Sequence, residues 1–325
     1  MVEKSYQLDT DTHNRIYNER LAPNLLAEKN PQEQPRVVFL VGQPGAGRSR
    51  IAPYLVADLN GTRATLHIDG DRLRAYHPGY GRLLRERASE AADLLDPDAA
   101  KWAHRLAADA MQQRVNVVLV TTMGDVGGTK QLAEMFRKSG YRVEAVVVAT
   151  PERVSLLTVF QRHEATRQRQ GAARYVRPAV HDQAYQALPN SLADAEKQQL
   201  FDQVRVITRQ RETVYDSAQQ RIPAAAEQLT GTREQAWSRA QHTAYQARWD
   251  RLIQDMMRNR ATQGVLNDAL QTRRQLVTRD LHRGQPANVL NPYLAGKLKH
   301  AQRSPSKEPT NQAQTQPTDS RTRQR

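Results

Sequence analysis

A three-layer α/β/α fold around a mostly parallel sheet is predicted by three observations. Short apolar runs recur at 36–41, 64–68, 116–121 and 142–149, and their continuously hydrophobic character is that of strands buried on both faces. Segments of helical periodicity separate them, at 48–59, 98–114 and 129–139. The first run passes at once into Gly42-Gln43-Pro44-Gly45-Ala46-Gly47-Arg48-Ser49, a strand-to-helix turn whose glycines open backbone conformations closed to other residues.

Taken in order, residues 11–28 place Ile16, Leu21, Leu25 and Leu26 at helical spacing and lead into a polar linker that ends at Pro35. The first strand follows at 36–41 and the first core helix at 48–59. Pro53 falls in that helix's early turns, where a missing N–H costs least. The second strand ends in Asp69-Gly70-Asp71. A helix at 151–168 carries Arg162, a loop holds Gly171, Arg174 and Pro178, another helix starts near Val180, and Val204–Ile207 reads as the last strand.

From Ile222 to about Thr278 the chain is rich in Gln, Arg and Ala, with Leu229, Trp237, Tyr245, Trp249, Leu252 and Met256 spaced for a helical hairpin on the core or on another protein. The tail from Ser304 to Arg325 is polar and is expected to be disordered. The expected organisation is an N-terminal helical segment (1–30), a core domain (31–220), a helical extension (221–285) and a polar basic tail (286–325).

A chain of 325 residues with 38% hydrophobic content can bury one sizeable core and something smaller beside it. No run approaches the ~20 apolar residues of a membrane span, and Met1-Val2-Glu3-Lys4-Ser5-Tyr6 lacks the apolar centre of a signal peptide, so a cytoplasmic location without membrane partners is expected. The absence of cysteine excludes disulfides, thiolate catalysis and cysteine zinc sites. A net charge of +14 attracts phosphate. With aromatic residues at only 6% and arginines dispersed along the chain, a basic surface serving small anionic substrates is favoured over a nucleic-acid groove.

Ligands of such sheets bind beyond the carboxyl ends of the strands, and Gly42, Asp69, Asp71 and Thr122 all fall there. The loop Gly42–Ser49 reads as a phosphate cradle. Its N–H groups and the following helix N-terminus face an anion, Arg48 brings a cation to the β- and γ-phosphates, and Ser49 offers a hydroxyl to Mg²⁺. Nucleoside-triphosphate binding follows, with Arg48 in the place where a lysine is usual. Asp69 and Asp71 could order a metal ion or orient an acceptor hydroxyl; simple helix capping is the other reading. Arg162 and Arg174 are candidates for neutralising charge on a transferring phosphoryl group. His67, His77, His163 and His181 lack metal-site spacing, and Trp102 and Trp237 read as helix-core packing rather than a stacking platform.

These residues resemble the zeta-toxin family of bacterial small-molecule kinases. The likeness runs from Gly42–Ser49 through Ile68-Asp69-Gly70-Asp71-Arg72-Leu73-Arg74 and His77-Pro78-Gly79-Tyr80. It continues in Val118–Met123, Thr150-Pro151-Glu152, Arg162, Arg174 before His181-Asp182, and Arg211–Ser217, covering about residues 31–220 of a P-loop NTPase-type fold. The resemblance implies ATP- or GTP-dependent, Mg²⁺-assisted phosphorylation of the 3′-hydroxyl of the amino sugar in UDP-N-acetylglucosamine. Asp71 would be the base, Arg48, Arg162 and Arg174 the phosphate-contacting cations, and Asp69, His77 and Thr122 the acceptor side. An antitoxin protein is a candidate partner, which a single chain does not establish. Three positions depart from the pattern: Arg48 stands where family members usually carry Lys, Val120 where the family has a Glu, and Gly124 where it has an Arg. The donor side and base are thus retained while part of the acceptor side is not. Kinases of NAD or a nucleoside, and a nucleotide-binding interaction or exported effector protein, are the alternative readings.

Overall fold

The computed structural model describes residues 6–220 and 224–282, with side chains described to residue 276. The tail expected at 286–325 lies outside the described residues. The chain begins with α1 (Thr10–Ile16), a π-helical turn (Tyr17–Leu21) and α2 (Ala22–Leu26), which follow one another without a break. Then come β1 (Arg36–Val41), α3 (Arg48–Asp58), β2 (Thr65–Asp69), α4 (Gly70–Leu73), a 3₁₀ turn (Arg74–Tyr76), α5 (Tyr80–Glu86), α6 (Ala91–Gln113), β3 (Asn116–Thr121) and α7 (Val126–Lys138). The second half supplies β4 (Arg142–Ala149), α8 (Glu152–Gln170), α9 (Pro178–Lys197), β5 (Gln203–Thr208), β6 (Thr213–Asp216), α10 (Ala225–Arg233), α11 (Arg239–Arg258) and α12 (Gln263–His282).

The six strands form one sheet in the order β2-β3-β1-β4-β5-β6. The first five run parallel, with Val37 opposite Val117 on one side and Val143 on the other. Alternate residues of each strand feed separate cores. Val37, Phe39, Val41, Val143, Ala145 and Val147 join the larger one, while Val38, Leu40, Val146 and Val148 meet Ile51, Ala52, Leu55 and Val56 of α3. Burial on both faces is what makes these strands continuously apolar.

Within the core domain, two expectations are corrected. The helix read at 98–114 begins at Ala91, because Pro97 is carried inside α6. Pro97 deprives one carbonyl of its partner, yet Ala91 and Leu95 on the preceding turns are buried against Leu83, and that packing keeps them helical. Val204–Ile207 belongs to the last parallel strand but not to the last strand. After the tight turn Arg209–Glu212, in which Arg211 adopts a left-handed φ of 74°, β6 returns antiparallel along β5. Such a four-residue edge strand carries little periodicity to read.

The N-terminal helix lies along α6. Tyr17 donates to Asp109 at 2.5 Å and sits under the Arg105 guanidinium, and His13 stacks on Trp102 with ring centroids 4.8 Å apart. The C-terminal segment is three helices rather than a hairpin. Ala225 and Leu229 of α10 enter the main core, while α11 lays Trp249 on Phe160 of α8 at 5.5 Å. Trp102 is fully buried as expected. Trp237 is not in a helix: it lies between α10 and α11, half-buried, under the guanidinium of Arg153 at 4.5 Å. Among the described residues no helix is long and apolar enough to cross a membrane.

At the sheet's amino end, Glu144 of β4 is 1% exposed and accepts two hydrogen bonds from Arg36, at 2.8 and 2.9 Å, with Arg142 3.0 Å away. A buried carboxylate needs such partners to offset its lost hydration. Replacing Glu144 by Ala should therefore lower the unfolding free energy by about 1–3 kcal/mol, read from urea denaturation; an unchanged midpoint would show the cluster to be energetically neutral.

Candidate functional site

Three connections at the carboxyl end of the sheet build the site. The first is the loop between β1 and α3. Gly45 and Gly47 hold φ values of 79° and 107°, and a Cβ on Gly45 would lie 2.1 Å from the Ser155 carbonyl oxygen. Only glycine allows that approach. The loop is fixed from behind: Thr150 Oγ1 donates to the Ala46 carbonyl at 2.8 Å, and the Gln43 amide donates to the Thr150 carbonyl at 2.9 Å and Ser155 Oγ at 3.1 Å. Ser155 Oγ meets His181 Nε2 at 2.8 Å, and His181 Nδ1 meets Asp182 at 2.9 Å.

The second connection follows β2. Asp69 caps α4, its Oδ1 accepting from the Asp71 N–H at 3.0 Å. Asp71, two residues on, faces the cleft, so the capping reading holds for the first carboxylate and not for the second. The third is the lid formed by α8 and the loop after it. It carries Arg162 and Arg174, and its far side is braced by the C-terminal helices. The hydroxyl of Tyr175, next to Arg174, donates to Asp268 of α12 at 2.6 Å. Glu164 accepts from Arg167 at 2.9 and 3.1 Å and from Asn259 at 3.2 Å.

These elements converge on one carboxylate. Asp71 forms ion pairs with Arg74 and Arg174, and Arg162 Nη1 lies 3.8 Å from its second oxygen. Burial opposes ionisation of Asp71, but the guanidiniums of Arg174, Arg74, Arg162 and Arg48 outweigh it and hold its carboxyl below the ordinary value of 3.8. Burial pushes Arg48 and Arg174 below the ordinary arginine value, against the pull of Asp71; a guanidinium stays charged regardless.

Two clefts meet at Asp71. One, of about 340 Å³, is lined by Gly45, Gly47, Arg48, Ser49, Asp69, Asp71, Arg162 and Arg209, so the phosphate loop forms its floor. The other, of about 460 Å³, is bounded by Arg48, Asp71, Arg74, Asp96, Val120, Thr122, Arg162, Arg174 and Gln183. Val120 and Gly124 also line a neighbouring cavity of about 520 Å³ with Ile68, Ala99, Leu119 and Leu132, so the second cleft continues into an apolar recess. Ser49 and Asp69 line the first cleft together, an oxygen pair of the kind that holds Mg²⁺ beside phosphates. Among the described residues no group of three or more His, Cys, Asp or Glu is placed to hold a metal by itself.

Gly45, Gly47, Arg48, Ser49, Asp69, Asp71, Thr122, Arg162 and Arg174 are thus brought together, and Pro44 borders the second cleft. Gly42, Gln43 and Ala46 are buried in the loop's support and line neither cleft. His77 is not brought in. It is 5% exposed, its Nε2 lies 3.1 Å from the Tyr6 carbonyl oxygen and 3.6 Å from Asp98, and burial pushes its pKa down. Two arginines escaped the sequence reading. Arg74 stands three residues from Asp71 on a helical turn, a spacing that pairs side chains. Arg209 is the first residue past β5, at the same strand-end address as the others; its Nη1 donates to Thr158 at 2.9 Å, and its Nε would lie 3.3 Å from a Cβ on Gly47.

Fold and site together define a P-loop NTPase-type α/β protein. The zeta toxin family model matches residues 23–220, and the chain belongs to this family of kinase-like toxins. Toxin PezT of Streptococcus pneumoniae serotype 4 is 27% identical over 203 residues, covering 62% of this chain and 79% of the relative. Toxin zeta of Enterococcus hirae is 25% identical over 206 residues, covering 62% and 71%. Among solved structures, one from the characterisation of the PezAT chromosomal toxin–antitoxin system of Streptococcus pneumoniae has a TM-score of 0.67 at 23% identity, covering 76% of this chain and 99% of that one. The AvrRxo1-ORF1:AvrRxo1-ORF2 complex with sulphate ions has a TM-score of 0.50 at 17% identity, covering 80% and 84%. At these identities the structural likeness bears on the fold alone.

Because its pKa is depressed, Asp71 contributes stability that is complete above 3.8 and is lost as pH falls below that value. Asp71→Asn, which leaves four guanidiniums around an uncharged amide, should lower the unfolding free energy at pH 7 by about 1 kcal/mol, a figure discounted because solvent reaches the carboxylate. The gap from wild type should close in acid below the carboxylate range. A variant as stable as wild type at pH 7 in low salt would contradict this.

Proposed function

We propose that this protein is an ATP- or GTP-dependent kinase that phosphorylates an alcohol of a nucleotide-type small molecule, first the 3′-hydroxyl of the amino sugar of UDP-N-acetylglucosamine, and thereby blocks peptidoglycan synthesis. The observation that carries this reading is the position of Asp71, on the boundary of both clefts and within reach of Arg162 and Arg174. A carboxylate there can hold an acceptor hydroxyl in the second cleft while a triphosphate lies in the first.

On this reading the N–H groups around Gly45 and Gly47 and the N-terminus of α3 hold the β- and γ-phosphates, with Arg48 beside them. Ser49 and Asp69 would hold Mg²⁺, which when bound neutralises phosphate charge. Asp71 accepts a hydrogen bond from the acceptor hydroxyl. As the acceptor O–P bond forms and the bond from the γ-phosphorus to the β,γ-bridging oxygen breaks, the nucleoside diphosphate departs and the hydroxyl proton passes to Asp71. A low pKa suits this role, because in a loose transition state the proton moves late. Arg162 and Arg174, which pair with Asp71, are placed to exchange that carboxylate for the transferring phosphoryl oxygens.

A different acceptor, NAD or a nucleoside, is the second reading. It is favoured by Val120 and Gly124, which leave the acceptor cleft uncharged at those positions and open to the apolar recess. The PezAT system of the solved relative supports an antitoxin as protein partner. A cytoplasmic site of action accords with the proposed substrate.

Incubation of the purified protein with Mg²⁺-ATP and UDP-N-acetylglucosamine should give a product heavier by one phosphoryl group. No product at micromolar enzyme, with Arg48→Lys equally silent, would remove the cell-wall assignment and direct an untargeted screen of small molecules. Asp71→Ala should abolish transfer while leaving ATP affinity within a few fold; normal turnover in that variant would show that another group takes the proton.

A further inference from the structure

We propose that Arg233, on α10 and beyond the segment matched by the family model, is a positioning residue that holds the phosphate loop in its nucleotide-ready shape through Gln43. This rests on the nucleotide-binding reading above. Gln43 is the second residue of the loop and none of its surface is exposed. Its amide is held at both ends: Nε2 donates to the Thr150 carbonyl and Ser155 Oγ, and Oε1 accepts from Arg233 Nη2 at 2.7 Å. Without Arg233 that buried oxygen would lose its partner, and an amide fixed at one end alone can rotate.

The environment of Arg233 argues that more than packing is involved. It is 5% exposed, and among the described residues no carboxylate pairs with it. Its remaining partners are the Tyr185 carbonyl, reached from Nη1 at 3.1 Å, and the Tyr185 ring, 4.3 Å from its carbon Cζ. Burial pushes its pKa down to about 10, so it remains charged at neutral pH. A buried cation with neutral partners is costly to keep. Behind a loop that receives a polyanion it is useful, because it adds positive potential on the side of the loop that solvent cannot screen. Arg233 also joins α10 to α9, which carries His181 and so the Ser155 contact. The loop's floor and its rear wall therefore share one anchor.

Calorimetric titration of Mg²⁺-ATP into the full chain separates positioning from mere stability. Arg233→Ala should weaken binding about tenfold, and Gln43→Ala by a similar factor. The double variant should bind no more weakly than the poorer single variant, since both changes cut one link. Arg233→Lys should recover part of the loss by restoring the charge. A purely structural role would instead lower the melting temperature and the active fraction and leave the dissociation constant of the folded protein unchanged. Wild-type affinity in Arg233→Ala, or losses that multiply in the double variant, would overturn the proposal. Should Arg233→Ala fail to fold, Arg233→Met decides, because it keeps most of the buried stem and cuts the bond to Gln43 while leaving the bonds of Gln43 to Thr150 and Ser155 in place; wild-type affinity there overturns the proposal. A wild-type chain that binds neither ATP nor GTP would remove the nucleotide reading, and this inference with it.

Discussion

One carboxylate surrounded by guanidiniums is the constraint on which the rest of this structure depends. Asp71 sits where β2 ends, and Arg48, Arg74, Arg162 and Arg174 reach it from the phosphate loop, the adjoining helical turn and the lid. Like charges so close repel one another, and each loses hydration in the cleft. The carboxylate offsets part of that repulsion. The surplus of positive charge that remains is what the triphosphate proposed above would neutralise.

Rigidity around this cluster comes from unlike sources. The phosphate loop is held by hydrogen bonds in which every partner of Gln43 and Thr150 is buried, the Arg233 guanidinium among them, an arrangement that fixes geometry because an unmade bond there is expensive. The lid is held from outside, by Tyr175 on Asp268 and by Glu164 on Asn259. The C-terminal helices therefore belong to the support of the site as much as the sheet does. On its amino side the sheet is tied by Glu144 and its arginines, far along the strands from the cleft.

The parallel strands and the phosphate loop were legible in the sequence because burial on both faces and a need for positive φ leave recognisable residue types: an unbroken apolar run of Val, Phe and Leu at 37–41, then Gly45 and Gly47. Asp71 was legible from its strand-end position, and Arg162 and Arg174 from the family resemblance. What was not legible depended on three-dimensional neighbours. Pro97 inside α6 is tolerated only because the turn before it is packed. His77 looked like part of the acceptor side, but its ring is turned to Tyr6 and Asp98, partners distant in sequence. Arg233 gave no local signal at all, since its place beside Gln43 is created by the fold. The acceptor side was read as altered from Val120 and Gly124, and both residues do border the cleft and the recess beyond it.

Whether the arginine-rich cleft over the phosphate loop takes a magnesium-loaded nucleoside triphosphate, as proposed, is decided by calorimetry on the wild-type chain. One-to-one binding of ATP or GTP is expected, with an affinity that weakens steadily as salt is raised, because guanidinium–phosphate attraction is screened. Absence of heat with both nucleotides at low salt would contradict it.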